Sequence, residues 1–166
     1  MRSHGSALVL EDSAPMRTML CELLRTLKIE DVEAVASLGE AKAHLDYLTY
    51  DVALIDVGLG EENGLDLVRS IRRDRTHPAR SMPFIVVSGQ NLRGIVAAAR
   101  DAGANAFVAK PVSAGALCQR VRAALEAQPQ FVESETYFGP DRRRRIDPTY
   151  RGPERRQGNA DDALYI

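Results

Sequence analysis

The first 128 residues alternate short, continuous apolar runs with longer stretches in which apolar residues recur at helical spacing. Ala7-Leu8-Val9-Leu10 is unbroken and short, the pattern of a strand buried on both faces. Behind it Met16, Leu20, Leu23, Leu24 and Leu27 recur on one helical face, and Pro15 suits the first turn, where its missing N–H costs nothing. A weaker strand is predicted over Val32–Ala36. A helix opened by Ser37 follows, with Glu40 at capping-box spacing. Val52-Ala53-Leu54-Ile55 reads as the third strand and ends at Asp56. The helix after it is predicted from about Gly64 to Asp74 on the strength of Leu65, Leu67, Val68 and Ile71. Phe84-Ile85-Val86-Val87 reads as the fourth strand, ending at Ser88. An Ala-rich helix then stops at Gly103, a residue suited to a left-handed C-cap. Ala106-Phe107-Val108-Ala109 is the fifth strand, ending at Lys110-Pro111. Ser113 can cap a last helix carrying Leu117, Val121, Ala124 and Leu125.

Five strands alternating with five helices imply an α/β fold, a parallel sheet covered on both faces. Right-handed crossovers make it doubly wound, with the flavodoxin-like strand order 2-1-3-4-5. The expected organisation is one domain over residues 6–128 and a C-terminal tail over 129–166. Such sheets bind ligands beyond the carboxyl ends of their strands.

Twenty-two basic residues face 23 acidic ones, so net charge alone makes no case for nucleic acid. Cys21 and Cys118 fall inside helical patterns without metal or redox spacing and read as buried reduced thiols. No apolar run reaches the roughly 18 residues of a membrane span, and Met1 to Gly5 lacks signal-peptide character. A cytoplasmic location is expected.

The chemistry lies just past each apolar run. Glu11-Asp12, Asp56, Ser88 and Lys110 each end a different strand, so on a parallel sheet all of them open on one edge. Any one polar residue at a strand end is ordinarily a loop starter; the set, each of a useful type, is not so easily explained. Three carboxylates this close repel one another unless a cation lies among them, and Mg²⁺ fits an all-oxygen site. Asp56 is then placed as a nucleophile toward a phosphoryl group, whose oxygens the Ser88 hydroxyl and Lys110 can bond and neutralise. The Lys110-Pro111 bond is of the type that tolerates cis geometry.

With these residues in place, the chain resembles the receiver domain of two-component response regulators over about residues 6–128. The resemblance rests on Glu11-Asp12, the YDVALID run ending in Asp56, Gly64, Ser88-Gly89 and AGANAFVAKP ending in Lys110-Pro111. It implies that Asp56 accepts a phosphoryl group from a histidine kinase or phosphotransfer protein. Glu11, Asp12, Asp56 and the Gly58 carbonyl would hold Mg²⁺. Ser88 and Lys110 would sense the phosphate, and Phe107 would be the aromatic switch, although a strand phenylalanine is by itself ordinary core. The chain departs from the family at Gly60, where proline is usual, and a more flexible loop is expected there. The first acid is glutamate, which keeps the charge.

The tail carries a duplicated element. Tyr137-Phe138-Gly139-Pro140-Asp141-Arg142-Arg143 recurs thirteen residues later as Tyr150-Arg151-Gly152-Pro153-Glu154-Arg155-Arg156. From Gly139 to Arg156 seven arginines against three acids leave a local charge of +4. Arginine forks suit carboxylates and phosphates. The readings are a solvated charged arm, or a protein-binding arm using Arg142, Arg143, Arg155 and Arg156. Nucleic acid is disfavoured because so short a patch has no reading element.

The leading expectation is a non-enzymatic signalling switch, its only self-catalysed step a slow loss of phosphate. Its downstream protein partner is undefined, and self-association through helix 4, strand 5 and helix 5, or through the tail, is open. A phosphate sink without an output of its own is the alternative. An aspartyl-phosphate phosphatase of the haloacid dehalogenase kind would need an aspartate where Gly58 stands. A flavodoxin would not place Glu11-Asp12-Ser13 in its phosphate loop.

Overall fold

The computed structural model describes residues 5–89, 92–126, 130–134 and 136–141. Its elements in chain order are β1 (Gly5–Leu10), α1 (Ala14–Thr26), β2 (Ile29–Val35), α2 (Leu38–Leu45), β3 (Val52–Asp56), β4 (Gly58–Leu59), β5 (Glu62–Asn63), α3 (Gly64–Arg73), β6 (Phe84–Ser88), α4 (Leu92–Ala102), β7 (Ala106–Ala109), α5 (Ala114–Glu126), β8 (Phe131–Glu133) and β9 (Phe138–Pro140). The main sheet has the order β2-β1-β3-β6-β7, all pairs parallel. This is the expected 2-1-3-4-5 topology with two small hairpins added.

Local signals act where their chemistry predicts. Ser37 Oγ accepts from Glu40 N–H at 3.3 Å, while a Glu40 carboxylate oxygen reaches back to Ala36 N–H at 2.9 Å. Ser113 Oγ accepts from Ala116 N–H at 3.2 Å ahead of α5. Gly103 closes α4 at φ +94°, in the left-handed region. Lys110-Pro111 is cis. The second strand starts earlier than its hydrophobic run: Gly5 pairs with Ile29, so the exposed Glu30 and Asp31 are carried into β2 by the ladder.

Two apolar layers sandwich the sheet. One contains Leu8, Leu10, Ile55, Leu65, Val68, Phe84, Val86 and Phe107; the other contains Val9, Leu24, Leu54, Ile85, Val87, Leu117 and Val121. Alternate residues of each central strand go to opposite layers, and burying each Leu or Val contributes about 1.5–3 kcal/mol. Cys21 belongs to the second layer as expected, but Cys118 is half-exposed, because its place on α5 lies off the Leu117–Val121–Ala124 stripe.

The segment expected as tail begins as folded structure. β8 and β9 pair antiparallel, Phe131 opposite Pro140, and the two phenyl rings of Phe131 and Phe138 stack at 5.2 Å. The hairpin sits on Arg72, whose guanidinium lies 4.6 Å from the Phe84 ring and 4.9 Å from the Phe131 ring. Arg72 is 1% exposed and donates to the carbonyls of Gly103, Arg80 and Met82 and to Asn105 Oδ1. Arg80 lies 3.6 Å from the Phe138 ring and shares Glu133 with Arg75. A side chain on Gly103 would collide with the Phe138 carbonyl and Arg72, so this glycine also makes room for the hairpin. Phe84 and Asn105 stand at the amino ends of β6 and β7, so the hairpin covers the amino edge of the sheet. Arg142, Arg143, Arg155 and Arg156, with the second repeat, lie outside the described residues. Among those described, no helix is long and apolar enough to cross a membrane.

Candidate functional site

β1 and β3 are adjacent and in register, Leu10 beside Ile55, so Glu11-Asp12 and Asp56 emerge side by side at the carboxyl edge. Carboxylate oxygens of Glu11, Asp12 and Asp56 all lie within 4.8 Å of one another. Glu11 and Asp56 are buried and Asp12 is exposed. Asp56 is fixed on its other side by β6, opposite Val87, and Gly64 allows α3 to begin against it. A side chain on Gly64 would sit 1.9 Å from the Asp56 carbonyl oxygen.

Lys110 reaches into the cluster from the end of β7. Its Nζ is 2.8 Å from Glu11 Oε2 and 3.0 Å from Asp56 Oδ2. Burial works to lower the lysine pKa, but the hydrogen bonds to Glu11 and Asp56 outweigh it, and the ammonium is held above its ordinary value. Glu11 moves the other way from a comfortable carboxylate. Burial, helped by the Asp56 charge, raises its pKa despite the Lys110 bond. One ammonium therefore leaves Glu11 under-compensated, the condition under which a further cation binds favourably.

The loop after Asp56 leaves a backbone carbonyl free of the ladder beside these acids, with Gly58 N–H 3.4 Å from Asp56 Oδ1. β4 and β5 form a hairpin in which Gly58 faces Asn63, and Gly64 N–H donates to the Val57 carbonyl at 3.0 Å. That bond makes Gly58–Asn63 a non-hydrogen-bonded pair, so the ladder does not consume the Gly58 carbonyl. The turn is Gly60-Glu61, with Gly60 at φ +65° and Glu61 at negative φ, the sign pattern of a II′ turn. Gly60 stands in the turn of a defined hairpin, where glycine permits the tight turn that proline would forbid. Three carboxylates and a carbonyl, all hard oxygens, suit Mg²⁺ with remaining positions left to water.

Ser88 ends β6, 1% exposed, with its backbone tied to β7 by Lys110 N–H to Ser88 C=O at 2.8 Å. It thus stands on the strand between those of Asp56 and Lys110. Phe107 is 1% exposed, opposite Val86 in β7, and its ring is already inside the first apolar layer. The structure therefore brings Glu11, Asp12, Asp56, Gly58, Ser88 and Lys110 to one edge and puts Phe107 in the adjoining core.

Sequence reasoning missed two parts of this edge. One is the β4–β5 hairpin, whose signal was Gly60 at the first central position of a two-residue turn. The other is Arg17, which donates from Nη1 to the carbonyls of Glu11 at 2.7 Å and Asp12 at 3.2 Å. Helical periodicity alone gave it no role, because it lies beside the apolar face.

Comparison with known proteins agrees with this geometry. The family model described as the response regulator receiver domain matches residues 7–122. The regulatory protein VirG of Agrobacterium tumefaciens is 35% identical over 130 residues, covering 77% of this chain and 46% of that protein. The chemotaxis protein CheY1 of Helicobacter pylori is 32% identical over 119 residues, covering 71% and 94%. The chain spans about half the length of the VirG proteins it matches. Among solved structures, a CheY-like receiver domain protein of Methanospirillum hungatei superposes with a TM-score of 0.67 at 25% identity, covering 76% of this chain and 97% of that one.

Proposed function

From the chain's membership of the response regulator receiver family of two-component signalling, we propose that it works as a phosphorylation switch with Asp56 as its acceptor. The observation that carries the reading is Lys110 Nζ within 3.0 Å of Asp56 Oδ2 inside a three-carboxylate cluster, with Ser88 on the intervening strand. A carboxylate oxygen of Asp56 attacks the phosphorus of a phosphohistidine on a kinase or phosphotransfer protein, and the phosphorus–nitrogen bond breaks toward the histidine. Glu11, Asp12, Asp56 and the Gly58 carbonyl would hold Mg²⁺, which supplies charge neutralisation for the incoming phosphoryl group. Lys110 exchanges its carboxylate partners for a phosphoryl oxygen, and the Ser88 hydroxyl donates to another.

Partner exchange by Ser88 and Lys110 is the differential contact that shifts the population of states. Its readout is the surface of α4, β7 and α5. Phe107 reports it from within the core, starting from a buried ring. The protein acts by binding another protein rather than by turning over a substrate, and it does so in the cytoplasm. We read the C-terminal Tyr-x-Gly-Pro-acid-Arg-Arg elements as a protein-binding arm. Asp141, the last described residue, has its N–H bonded to Gln130 C=O at 2.6 Å beside the β8–β9 hairpin.

The test uses acetyl phosphate with Mg²⁺ and borohydride trapping followed by mass spectrometry. Label is expected on Asp56, falling at least a hundredfold in Asp56→Asn. Label at the wild-type level in that variant would exclude the assignment.

A further inference from the structure

We propose that Arg17 is a positioning residue for the divalent cation, acting through the backbone of Asp12; the inference rests on the magnesium reading above. The Glu11 carbonyl belongs to the peptide plane before the Asp12 Cα, and the Asp12 carbonyl to the plane after it. One nitrogen, Arg17 Nη1, bonds both carbonyls, at 2.7 and 3.2 Å. The angle between those two planes is set by the φ and ψ of Asp12, so a single guanidinium nitrogen bonded to both carbonyls restrains the combination of the two torsions.

Asp12 needs that help more than its neighbours do. Glu11 is buried and held by Lys110 at 2.8 Å and by Ser13 N–H at 3.2 Å. Asp56 is buried and held by Lys110. Asp12 is exposed, and no hydrogen bond reaches its carboxylate among the described residues. The direction of its side chain therefore depends on its backbone, and its backbone depends on Arg17. The Arg17 main chain from which the guanidinium extends is held in the first turn of α1, where its N–H donates to the Ser13 carbonyl at 2.8 Å.

Charge and positioning give opposite signs here. Arg17 is a cation near a cation site, so through Coulomb repulsion alone its removal would tighten Mg²⁺ binding. If it orients a ligand, its removal loosens binding; partners that orient metal ligands typically matter by about 10–100-fold in affinity.

The experiment measures Mg²⁺ affinity of the full chain by calorimetry, with amide NMR shifts of the 11–13 turn as a second readout, and the thermal midpoint without metal. Arg17→Met is expected to weaken Mg²⁺ about tenfold and to spread the resonances of Asp12 and Ser13. Arg17→Lys keeps the charge and one donor able to reach a carbonyl, and is expected to recover part of the loss. Equal or tighter binding by Arg17→Met overturns the proposal, as does a lowered midpoint in both variants with unchanged Mg²⁺ affinity. If the unsubstituted protein binds no Mg²⁺, the magnesium reading falls and this inference falls with it, whereas normal wild-type binding with no effect in either variant removes this inference alone.

Discussion

The two ends of the central sheet handle buried charge in opposite ways. At the carboxyl edge three carboxylates cluster while one ammonium bonds two of them, and burial keeps the Glu11 pKa raised despite that bond. At the amino edge a single guanidinium, Arg72, is enclosed with no carboxylate bonded to it; burial lowers its pKa to about 9. There each of its three nitrogens donates to a carbonyl or amide oxygen, and two phenyl rings lie within 5 Å of it. An arginine remains charged at neutral pH under such a shift. The amino edge is thus electrostatically complete without a ligand, whereas the carboxyl edge becomes complete only with one. Completeness marks a structural joint, and incompleteness marks a site.

The sharpest way to break this comparison is Arg72→Met. The substitution keeps much of the volume but leaves the carbonyls of Gly103, Arg80 and Met82 without this donor, while Asn105 Oδ1 retains the Phe84 N–H. A loss of about 3 kcal/mol is expected in urea denaturation. Labelling of Asp56 by acetyl phosphate should stay within about twofold of wild type once the fold is saturated with Mg²⁺, because the two edges share no polar contact. Phosphorylation falling in proportion to stability would mean that the edges are coupled.

A smaller effect sharpens the same contrast. Phe138→Ala removes the ring that covers Arg80 and stacks on Phe131. An exposed or partly buried cation–π contact contributes about 0.5–2 kcal/mol, so stability should fall by roughly that amount. Amide exchange at Gly103 and Asn105 should speed up while that at Asp56 is unchanged. If neither moves, the hairpin is not a joint.

Within the carboxyl edge, Gly60→Pro separates family habit from this chain's geometry. Proline is the usual family residue, yet its ring holds φ near −65°, against +65° here. Forcing the turn open should cost about 1–2 kcal/mol and weaken Mg²⁺ binding several-fold through the Gly58 carbonyl. Unchanged Mg²⁺ affinity would show that the hairpin does not hold that ligand.

The unequal legibility of the two edges has a physical cause. Every carboxyl-edge acid, Ser88 and Lys110 follow an apolar run directly, so period and residue type announced both the sheet order and the site. The amino edge is assembled from residues distant in sequence whose types look ordinary locally. Arg72 falls four residues after Val68 and seven after Leu65 on the buried face of α3, yet an arginine there reads as the end of a stripe. Its partners, Arg80, Gly103, Asn105 and Phe131, come from separate loops and from a segment that composition marks as tail. The boundary of the folded body was blurred for the same reason: two phenylalanines in 131–138 are too few for a periodic signal, and only the waiting arginines give them something to cover. Gly60 is legible in two ways, as the absence of the usual proline and as the residue a II′ turn requires, and its φ of +65° fits the second.

The smallest expected effect is the dependence of metal-free stability on pH, and its sign tests the claim of incompleteness directly. Burial and the Asp56 charge raise the Glu11 pKa above its ordinary carboxylate value in the folded state. In the interval just above that ordinary value the folded protein then binds more protons at this position than the unfolded chain does. Stability from Glu11 should therefore be greatest at acid pH and fall as pH rises from the ordinary value through the raised one. Lys110 runs in parallel at the other end of the scale: its raised pKa gives stability that is present below the ordinary lysine value and lost as pH climbs through the raised one. Glu11→Gln should flatten the acid limb, and saturating Mg²⁺ should reverse it, since the cation binds only the deprotonated cluster and stabilises by mass action, about 2.7 kcal/mol at a hundredfold excess over Kd. Urea denaturation between pH 4.5 and 8, with EDTA or with Mg²⁺, reads the Glu11 limb in both states. A metal-free protein that gains stability with rising pH over that interval, in a manner abolished by Glu11→Gln, would show that Lys110 alone already satisfies the carboxylates, and the two edges would then be alike.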